Sequence, residues 1–554
     1  MNHFTWFFVA LLFGQSLYAQ ERPNILLLMA EDMSARVGAF GDSVAHTPTL
    51  DTLASRGVMY PNTFTTAGVC APSRAAHILG MHQISTGAQH MRTGSRPEGG
   101  YFAVPPPQVK AYPEFLRAAG YYTFTDTKLD YQFSSAFPNS GPFTIWDEEG
   151  QDDPDWRGRE PGQPFFGFRN FMVTHESGVF TPLGEMPNSI MHFVMQLMRW
   201  WKVDGTPEQL TDPNAIELPP YYPDTPTVRQ DIARHYDNIA FMDKEVAAIL
   251  AKLEADGLAD STIVIWTTDH GDGLPRAKRE LFDSGIKVPM IVRWPEAFKP
   301  EGVAPGTFDE RLISFVDLAP TLLKLAGAEV PAYLHGQDFS SPLISPRQYI
   351  FASRDRIDEV PDRQRAVRDQ RFKYIRSWQP DQIEGHELLY RDNIDMVREM
   401  REMYRAGRLN AAQSRWFEAP GEERLFDLEK DPFELNNVVD DPQYQPELAR
   451  LRGVLINRLA YIGDWSEDPE AKMVERFAPG GERRVTAQPN IHLRAGGLRI
   501  DTPDEGASIA YRIGEGPWRL YSGPVPLPRG QSFEAKAVRY GWEESAVTET
   551  ELTP

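Results

Sequence analysis

The fold is decided by residues 23–32, which read PNILLLMAED. A short apolar run that is bounded by a proline and an acidic pair predicts a buried strand of a parallel sheet. Glu31 and Asp32 then stand at the carboxyl end of that strand, where open α/β sheets bind their ligands. Without a second strand end of the same kind, the acidic pair would be more typical of a turn or a helix start.

A second such strand lies at residues 262–267, which read TIVIWT and run directly into Asp269, His270 and Gly271. Ahead of it, the segment 231–254 carries apolar residues at helical spacing. Because helix and apolar strand alternate, the sequence predicts an α/β domain. Two strands would then deliver acidic and imidazole groups to one edge of one sheet.

The overall charge argues against one class of partner. The 554 residues include 57 Lys and Arg against 78 Asp and Glu, which gives a formal net charge of −21. Nucleic-acid binders usually carry a basic face, so no nucleic acid partner is expected. An anionic substrate is still compatible with this charge, since a few Lys and Arg side chains that converge in a cleft can dominate locally.

The N-terminus predicts export. Residues 1–19 are interpreted as a signal peptide, with an apolar run at Phe4–Phe13 and a small-residue cleavage site at Leu17–Ala19. The first residues lack Lys and Arg, and a buried N-terminal strand or helix is the alternative. No later apolar run is long enough to span a bilayer, so no membrane span is expected. The predicted location is secreted or periplasmic, after signal peptide cleavage.

The chain divides by composition into three parts. Residues 20–342 form the predicted catalytic α/β domain, and residues 343–466 a smaller α+β subdomain with short alternating strands and one helix. Beyond a linker that contains Pro479-Gly480-Gly481, residues 488–554 alternate polar and apolar side chains and predict a small all-β module, a β-sandwich. Within the first part, residues 188–201 are rich in Met, Phe and Trp; we expect a core-packing helix there, with a wall of a substrate cleft as the alternative.

Cys70 is the only cysteine of the chain. A single cysteine in an exported protein is either reactive, paired with another molecule or a small buried side chain. The neighbouring residues decide between these three interpretations, because residues 70–74 read CAPSR. This run matches the C-x-P-S-R signature, and from about Pro23 to Gly463 the chain resembles the formylglycine-dependent sulfatases, the type I sulfatases of the alkaline phosphatase superfamily.

The resemblance implies an alkaline phosphatase-like α/β sandwich with a mixed central sheet, and a modified nucleophile. A formylglycine-generating maturation enzyme would convert Cys70 into an aldehyde, whose hydrate attacks the sulfur and then expels sulfate through its second hydroxyl. Arg74 lies one helical turn later, where it can reach back toward residue 70. A salt bridge at the helix terminus is the structural alternative for Arg74.

The resemblance also implies a divalent cation. Its ligands would be Glu31, Asp32, Asp269, His270 and an oxygen of the modified residue 70, and oxygen-rich sites favour Ca²⁺, with Mg²⁺ as the second choice. Two ligand positions depart from the commonest family pattern. Glu31 stands where many members have Asp, and His270 where many have Asn, so the presence of a metal is better supported than its identity.

Sulfate binding and proton transfer are implied for Lys128, His175 and Lys278. Lys278 is expected to hold a sulfate oxygen, with Arg279 and Lys287 as competitors. His175 would be the general acid for the leaving alcohol, a task that suits an imidazole with a pKa near neutrality; a structural histidine is the alternative.

Around Lys128 the family often has Lys-x-His, whereas this chain has Asp130 at the histidine position. The base that drives sulfate release is therefore open.

Together these features predict a sulfuric ester hydrolase that removes sulfate from a sulfated polysaccharide or oligosaccharide. Export and the terminal module favour such a carbohydrate substrate. A phosphodiesterase or phosphonate hydrolase of the same superfamily is one alternative, and a catalytically inactive carbohydrate-binding homologue is another.

Overall fold

The structure is a computed structural model, and it describes residues 22–91, 100–150, 153–202, 208–494, 497–526 and 530–551. The predicted signal peptide, residues 1–19, lies outside these ranges. Among the described residues, no helix has both the length and the apolar character that a membrane crossing requires.

A mixed sheet forms the centre of the molecule. Its strands are β1 (Asn24–Ala30), β2 (Val58–Phe64), β3 (Tyr122–Thr125), β4 (Glu148–Glu149), β5 (Phe165–Phe171), β6 (Thr262–Thr268), β7 (Lys287–Arg293), β8 (Thr307–Phe308) and β9 (Ile313–Ser314). Their order is β4-β3-β5-β1-β6-β7-β2-β8, and β9 also pairs with β2. The strands from β4 to β6 run parallel, whereas β7 is antiparallel to both of its neighbours. The predicted mixed sheet is confirmed.

Helices cover both faces of this sheet, as the predicted sandwich requires. The α-helices of the described residues are α1 (Pro48–Ser55), α2 (Cys70–Leu79), α3 (Tyr112–Ala118), α4 (Ile190–Lys202), α5 (Pro226–Ala255), α6 (Asp283–Ile286), α7 (Leu318–Leu325), α8 (Asp395–Arg405), α9 (Ala411–Ser414), α10 (Gln445–Ile462) and α11 (Glu470–Phe477). Alternate residues of β1 point to opposite sides, so Ile25 and Leu27 join a core with α2, α3 and α7, and Leu26 and Leu28 join one with α1 and α5. A strand that is buried on both faces must be apolar throughout, which explains the sequence of β1.

Helix α5 begins five residues before the predicted segment 231–254. Thr225 caps it by accepting a hydrogen bond from the Val228 N–H, and Pro226 occupies the first helical position. Both residue types favour helix starts but do not belong to the apolar periodicity, so the periodic pattern alone placed the start too late.

Two smaller β units follow. The first is an antiparallel sheet of β10 (Ile350–Arg354), β11 (Gln364–Arg368), β12 (Phe372–Ser377) and β13 (Glu423–Asp427), against which α10 packs. The second consists of β14 (Asn490–Arg494) with β15 (Gly497–Asp501), and of β16 (Ser508–Ile513), β17 (Arg519–Leu520), β18 (Ser532–Val538) and β19 (Thr548–Glu551). The α+β and all-β character of the two parts is as predicted, while the boundaries at 342 and 488 stay predictions.

The terminal β unit is fixed to the catalytic domain through buried polar contacts. The Glu114 carboxylate of α3 accepts hydrogen bonds from Ser508 at 2.5 Å and Tyr540 at 2.8 Å. Tyr540 is fully buried and stacks on Phe133 of the main core. The terminal β unit is thus packed against the central α/β domain rather than tethered to it.

Candidate active site

Four neighbouring parallel strands bring the predicted site residues to one edge of the sheet. Lys128 follows β3, His175 follows β5 after one 3-10 turn, Glu31 and Asp32 follow β1, and Asp269 and His270 follow β6. Ligands of open α/β sheets bind at this carboxyl edge. Glu31, Asp32, Asp269 and His270 are all fully buried. The predicted meeting of the two acidic strand ends is therefore observed.

Cys70 is the first residue of α2 and is buried in the same place. Its Sγ lies 3.4 Å from His270 Nε2 and 3.9 Å from Asp32 Oδ1. The CAPSR run explains how the helix is held: Pro72 is tolerated in the first turn, where its missing N–H is not needed, and the Ser73 hydroxyl donates to the Asp269 carbonyl at 2.6 Å. The motif thus ties the start of α2 to the end of β6.

The residue types and spacing at this point fit a divalent cation. One ligand atom each from Asp32, Cys70, Asp269 and His270 lie within 4.8 Å of one another. His270 Nε2 is 3.0 Å from Asp32 Oδ1 and 3.6 Å from Asp269 Oδ1. Although burial acts in the opposite direction, the two carboxylates raise the pKa of His270 well above its ordinary value. The pair of carboxylates therefore attracts positive charge at the position where a cation would be held.

Glu31 is bonded mainly to cations of the protein. Its two carboxylate oxygens accept hydrogen bonds from Arg74 and from Lys128. A ligand atom of Glu31 also lies within 4.8 Å of ligand atoms of Asp32, Cys70 and His175. The carboxylate thus links two predicted sulfate-site cations to the edge of the cation cluster.

Arg74 is held from three sides. Its guanidinium contacts Glu31, donates to Asn170 Oδ1 at 2.7 Å and lies 3.3 Å from Asp269 Oδ2. Sequence reasoning missed Asn170, whose only signal was an amide side chain within the Phe-rich strand β5. Asn170 is itself held by Asp126, which accepts from its side-chain amide at 2.7 Å.

Lys278 lies at the predicted place and contacts several anionic or basic groups. Its Nζ is 2.6 Å from Asp32 Oδ2, 3.1 Å from Glu176 Oε1 and 3.4 Å from His175 Nε2. Burial opposes ionisation of Asp32, but the charge of Lys278 and its neighbours holds the pKa of Asp32 well below its ordinary value. The competitor Arg279 is engaged elsewhere, with both terminal nitrogens 2.8 Å from the Glu176 carboxylate and Nε 2.9 Å from Asp358.

Glu176 is a second residue that sequence reasoning missed. It follows His175 directly, its carboxylate holds Lys278 and Arg279, and its backbone N–H donates to Asp32 Oδ2 at 2.7 Å. Burial opposes the shift, but Arg279 and Lys278 lower the pKa of Glu176 to about 2. A buried carboxylate beside two cations thus stays charged.

His175 has a lower pKa than its predicted role suggests. Burial, together with the charge of Lys278, lowers the pKa of His175 to about 4, below the near-neutral value that we expected for a general acid. Its Nδ1 lies 3.3 Å from the Ser177 backbone nitrogen and 3.0 Å from Ser177 Oγ, and its Nε2 lies 3.4 Å from Lys278 Nζ. Both ring nitrogens of His175 therefore have polar partners.

Asp130 occupies the position where the family often has histidine. Its Oδ2 is 4.0 Å from Lys128 Nζ. The residue has a positive φ of 57°, which is uncommon for a side-chain-bearing residue and directs the chain locally.

Comparisons with known proteins agree with this geometry. The model of the sulfatase family matches residues 23–328, and the model of the C-terminal part of N-sulphoglucosamine sulphohydrolase matches residues 276–416. An ulvan-active sulfatase of Formosa agariphila is 41% identical over 551 residues, which cover 95% of this chain and 90% of that protein.

Solved structures show the same fold. A 2-O GAG sulfatase matches with a TM-score of 0.55 at 20% identity, over 82% of this chain and 96% of that one. A phosphonate monoester hydrolase of Silicibacter pomeroyi matches with a TM-score of 0.54 at 16% identity, over 87% of this chain and 99% of that one. The family match over more than half of the chain and the near-full-length relative together decide the assignment: this chain belongs to the sulfatases, the type I sulfuric ester hydrolases of the alkaline phosphatase superfamily.

Proposed function

We propose that this sulfatase removes sulfate from a sulfated polysaccharide or oligosaccharide after export, and that it uses a formylglycine made from Cys70 and a divalent cation, Ca²⁺. The observation that carries the proposal is the position of Cys70 Sγ, which lies 3.4 Å from His270 and 3.9 Å from Asp32 at the carboxyl edge of the sheet. A modified side chain at this point would face both the cation cluster and the Lys and His side chains that suit a sulfate group.

The formylglycine hydrate at residue 70 would supply an attacking hydroxyl and a second hydroxyl through which sulfate is expelled. A cation held by Asp32, Asp269 and His270, with Glu31 at the edge of the site, would polarise the sulfate oxygens. Asp32 and Asp269 are ionised and within reach of one another, which suits this task.

The remaining steps fall to side chains of the chain itself. Lys278 and Lys128 would hold sulfate oxygens, since neighbouring anionic groups keep both ammonium groups charged although burial opposes this. Arg74 would stabilise the negative charge near residue 70 from its fixed position between Glu31 and Asn170. His175 would donate from Nε2 toward the leaving oxygen, and the negative charge of an arriving sulfate monoester would raise the pKa of its imidazole from this low value.

The substrate class rests on a relative that is 41% identical to this chain. That protein is an ulvan-active sulfatase, and its likeness extends over 95% of this chain. We therefore propose ulvan-type sulfated polysaccharides or their oligosaccharides as the first substrates to examine.

The test is sulfate release from a panel of sulfated poly- and oligosaccharides, measured by ion chromatography, with the residue-70 peptide examined by mass spectrometry. Release from ulvan fragments by aldehyde-bearing enzyme is the expected result. An aldehyde-bearing enzyme that releases no sulfate from any carbohydrate would contradict the substrate class. Turnover of phosphate diesters or phosphonates in place of sulfate esters would favour the superfamily alternative, and an unmodified thiol would favour an inactive binding protein.

A further inference from the structure

Helix α4 (Ile190–Lys202) presents its apolar side outward. We predicted a core-packing helix here, and that prediction is wrong in orientation. The eight outward positions are all apolar, and each side chain is between 41 and 85% exposed: Ile190, Met191, Phe193, Val194, Leu197, Met198, Trp200 and Trp201. At 100° per residue these positions fill one half of the helix surface, so the face is continuous. We call these eight residues the α4 face.

The polar side of the helix explains its orientation. His192 and Gln196 are buried and hydrogen-bond the Thr181 carbonyl, at 3.0 and 2.9 Å. Arg199 donates to the Val173 carbonyl at 3.1 Å and to the side chain of Asn238. Three specific polar anchors fix the rotation of α4, so the outward direction of the apolar face is imposed by the fold.

The α4 face is larger than ordinary surface patches. At roughly 150–250 Å² for each large side chain, half-exposed on average, the eight residues present about 600–1,000 Å². The largest apolar patch of a typical monomer is about 300–600 Å². A stable interface of standard size buries about 800 Å² on each partner. Met186, which is 87% exposed, extends the patch at its N-terminal side.

We propose that the α4 face is covered by the same face of a second copy of this chain, in a two-fold symmetric dimer. A two-fold contact places a patch against itself, and this patch is self-complementary because none of its eight residues is charged. The area of the α4 face is also similar to the roughly 800 Å² that one partner of a stable dimer contributes.

A lipid bilayer is the less suitable occupant. Helices that lie in a membrane interface usually carry Lys and Arg along the polar side, which meet the headgroups. Helix α4 has two basic residues: Arg199 is turned inward onto Val173 and Asn238, and Lys202 is the last residue of the helix. The net charge of −21 would in addition repel the chain from an anionic surface.

The dimer would lie one layer from the candidate active site. Tyr390 donates its hydroxyl to Met195 Sδ at 3.8 Å, on the inner side of α4, and its ring contacts the His175 ring with centroids 6.1 Å apart. Dimerisation through the α4 face would therefore stabilise the position of Tyr390, which packs against the His175 ring.

The test is sedimentation equilibrium of the full chain over about 0.1–50 μM, a range in which interfaces of this size either persist or dissociate. The double variant Ile190→Glu/Trp201→Glu changes one strongly exposed residue at each end of the face, 85 and 84% exposed. The matched control is Leu343→Glu/Tyr461→Glu, which adds the same two charges at side chains that are 93 and 80% exposed elsewhere.

We expect the wild type and the control to sediment as dimers, and the face variant to sediment as a monomer with an unchanged far-UV circular dichroism spectrum. If the double variant does not fold, the single variant Trp201→Glu should weaken dimerisation at least tenfold. A monomeric wild type, or a face variant that remains dimeric, would overturn the proposal. Flotation of a monomeric wild type with neutral phosphatidylcholine vesicles would overturn it in favour of lipid.

Discussion

Replacing Glu176 by Gln tests whether the sulfate-site lysine is held in place by this carboxylate. The wild-type side chain accepts two hydrogen bonds of 2.8 Å from Arg279 and lies 3.1 Å from Lys278 Nζ. The variant keeps the shape of the side chain but removes its charge, and its amide nitrogen turns a donor toward groups that are themselves donors. Lys278 would then be held by Asp32 alone and would move toward it.

The size of the loss in stability and rate depends on the ion pairs that Arg279 and Lys278 keep in the variant. Breaking a buried ion pair costs about 3–5 kcal/mol when it leaves a charge without a partner. Here Arg279 keeps Asp358 and Lys278 keeps Asp32, so we expect a smaller loss of about 2–3 kcal/mol in the free energy of unfolding. A displacement of about 1 Å at a positioned group can lower the rate about 100-fold, and we expect kcat/KM for sulfate release to fall about 30- to 100-fold.

The assay is the initial rate of sulfate release, together with chemical denaturation. Because the pKa of Glu176 is lowered to about 2, wild-type Glu176 stays ionised above about pH 4, and the ratio of wild-type to variant rates should not change with pH in that range. Glu176→Asp keeps the charge and should recover part of the rate. Glu114→Gln removes another buried carboxylate, one that binds the terminal β unit, and should lower stability without changing kcat/KM. A folded, fully modified E176Q enzyme with wild-type kcat/KM would refute the reasoning.

Four further predictions concern the nucleophile, the cation, the release step and acid stability. Cys70→Ala should abolish sulfate release while the fold, followed by circular dichroism, is kept. Treatment with a chelator should lower turnover at least tenfold, and Ca²⁺ should restore it; restoration by Mg²⁺ alone would contradict the choice of metal. Asp130→Asn should release the alcohol product in a burst followed by slower turnover, as seen by stopped-flow; unchanged kinetics would exclude Asp130 from the release step. Burial, with the charge of Arg74, lowers the pKa of His77 to about 3, so stability should fall by up to about 1.4 kcal/mol per pH unit between pH 6.5 and 3, because only the unfolded chain takes up the proton there. Denaturation of His77→Phe should show a shallower loss over this range.

The strands of the central sheet could be predicted because burial on both faces leaves a strong trace in the sequence. Both β1 and β6 are uniformly buried, and both read as short apolar runs that end in acidic residues. Parallel strands share one carboxyl edge, so the meeting of Asp32 and Asp269 followed from the runs alone.

The orientation of α4 could not be predicted in the same way. An apolar stripe at helical spacing shows that a helix has two sides but not which side faces the core. Three polar residues on the other side, at positions 192, 196 and 199, find partners that are distant in the sequence or lie in irregular segments. These contacts decide the rotation of the helix, and no periodic pattern encodes them.

The ion pairs within the candidate active site could not be predicted from the sequence either. Glu31 was predicted from its position beside Asp32, yet the two carboxylates have different partners: Glu31 binds Arg74 and Lys128, and Asp32 binds Lys278. The partners lie between 43 and 246 residues away in the chain. Such pairs depend on which strands become neighbours in the sheet, and this order is not readable from local sequence.

The same ion pairs limit which residue can be the base that drives sulfate release. Burial opposes the charge of Lys128, but nearby groups, Glu31 among them, raise the pKa of its ammonium above the ordinary value. A lysine that keeps its proton under these conditions can hold a sulfate oxygen but cannot accept a proton from the hydrate. His175, which follows the neighbouring strand β5, is assigned to the leaving oxygen in the proposed mechanism. Asp130, whose Oδ2 lies 4.0 Å from Lys128 Nζ, stays the candidate for the base that drives sulfate release, and the kinetics of Asp130→Asn test that role.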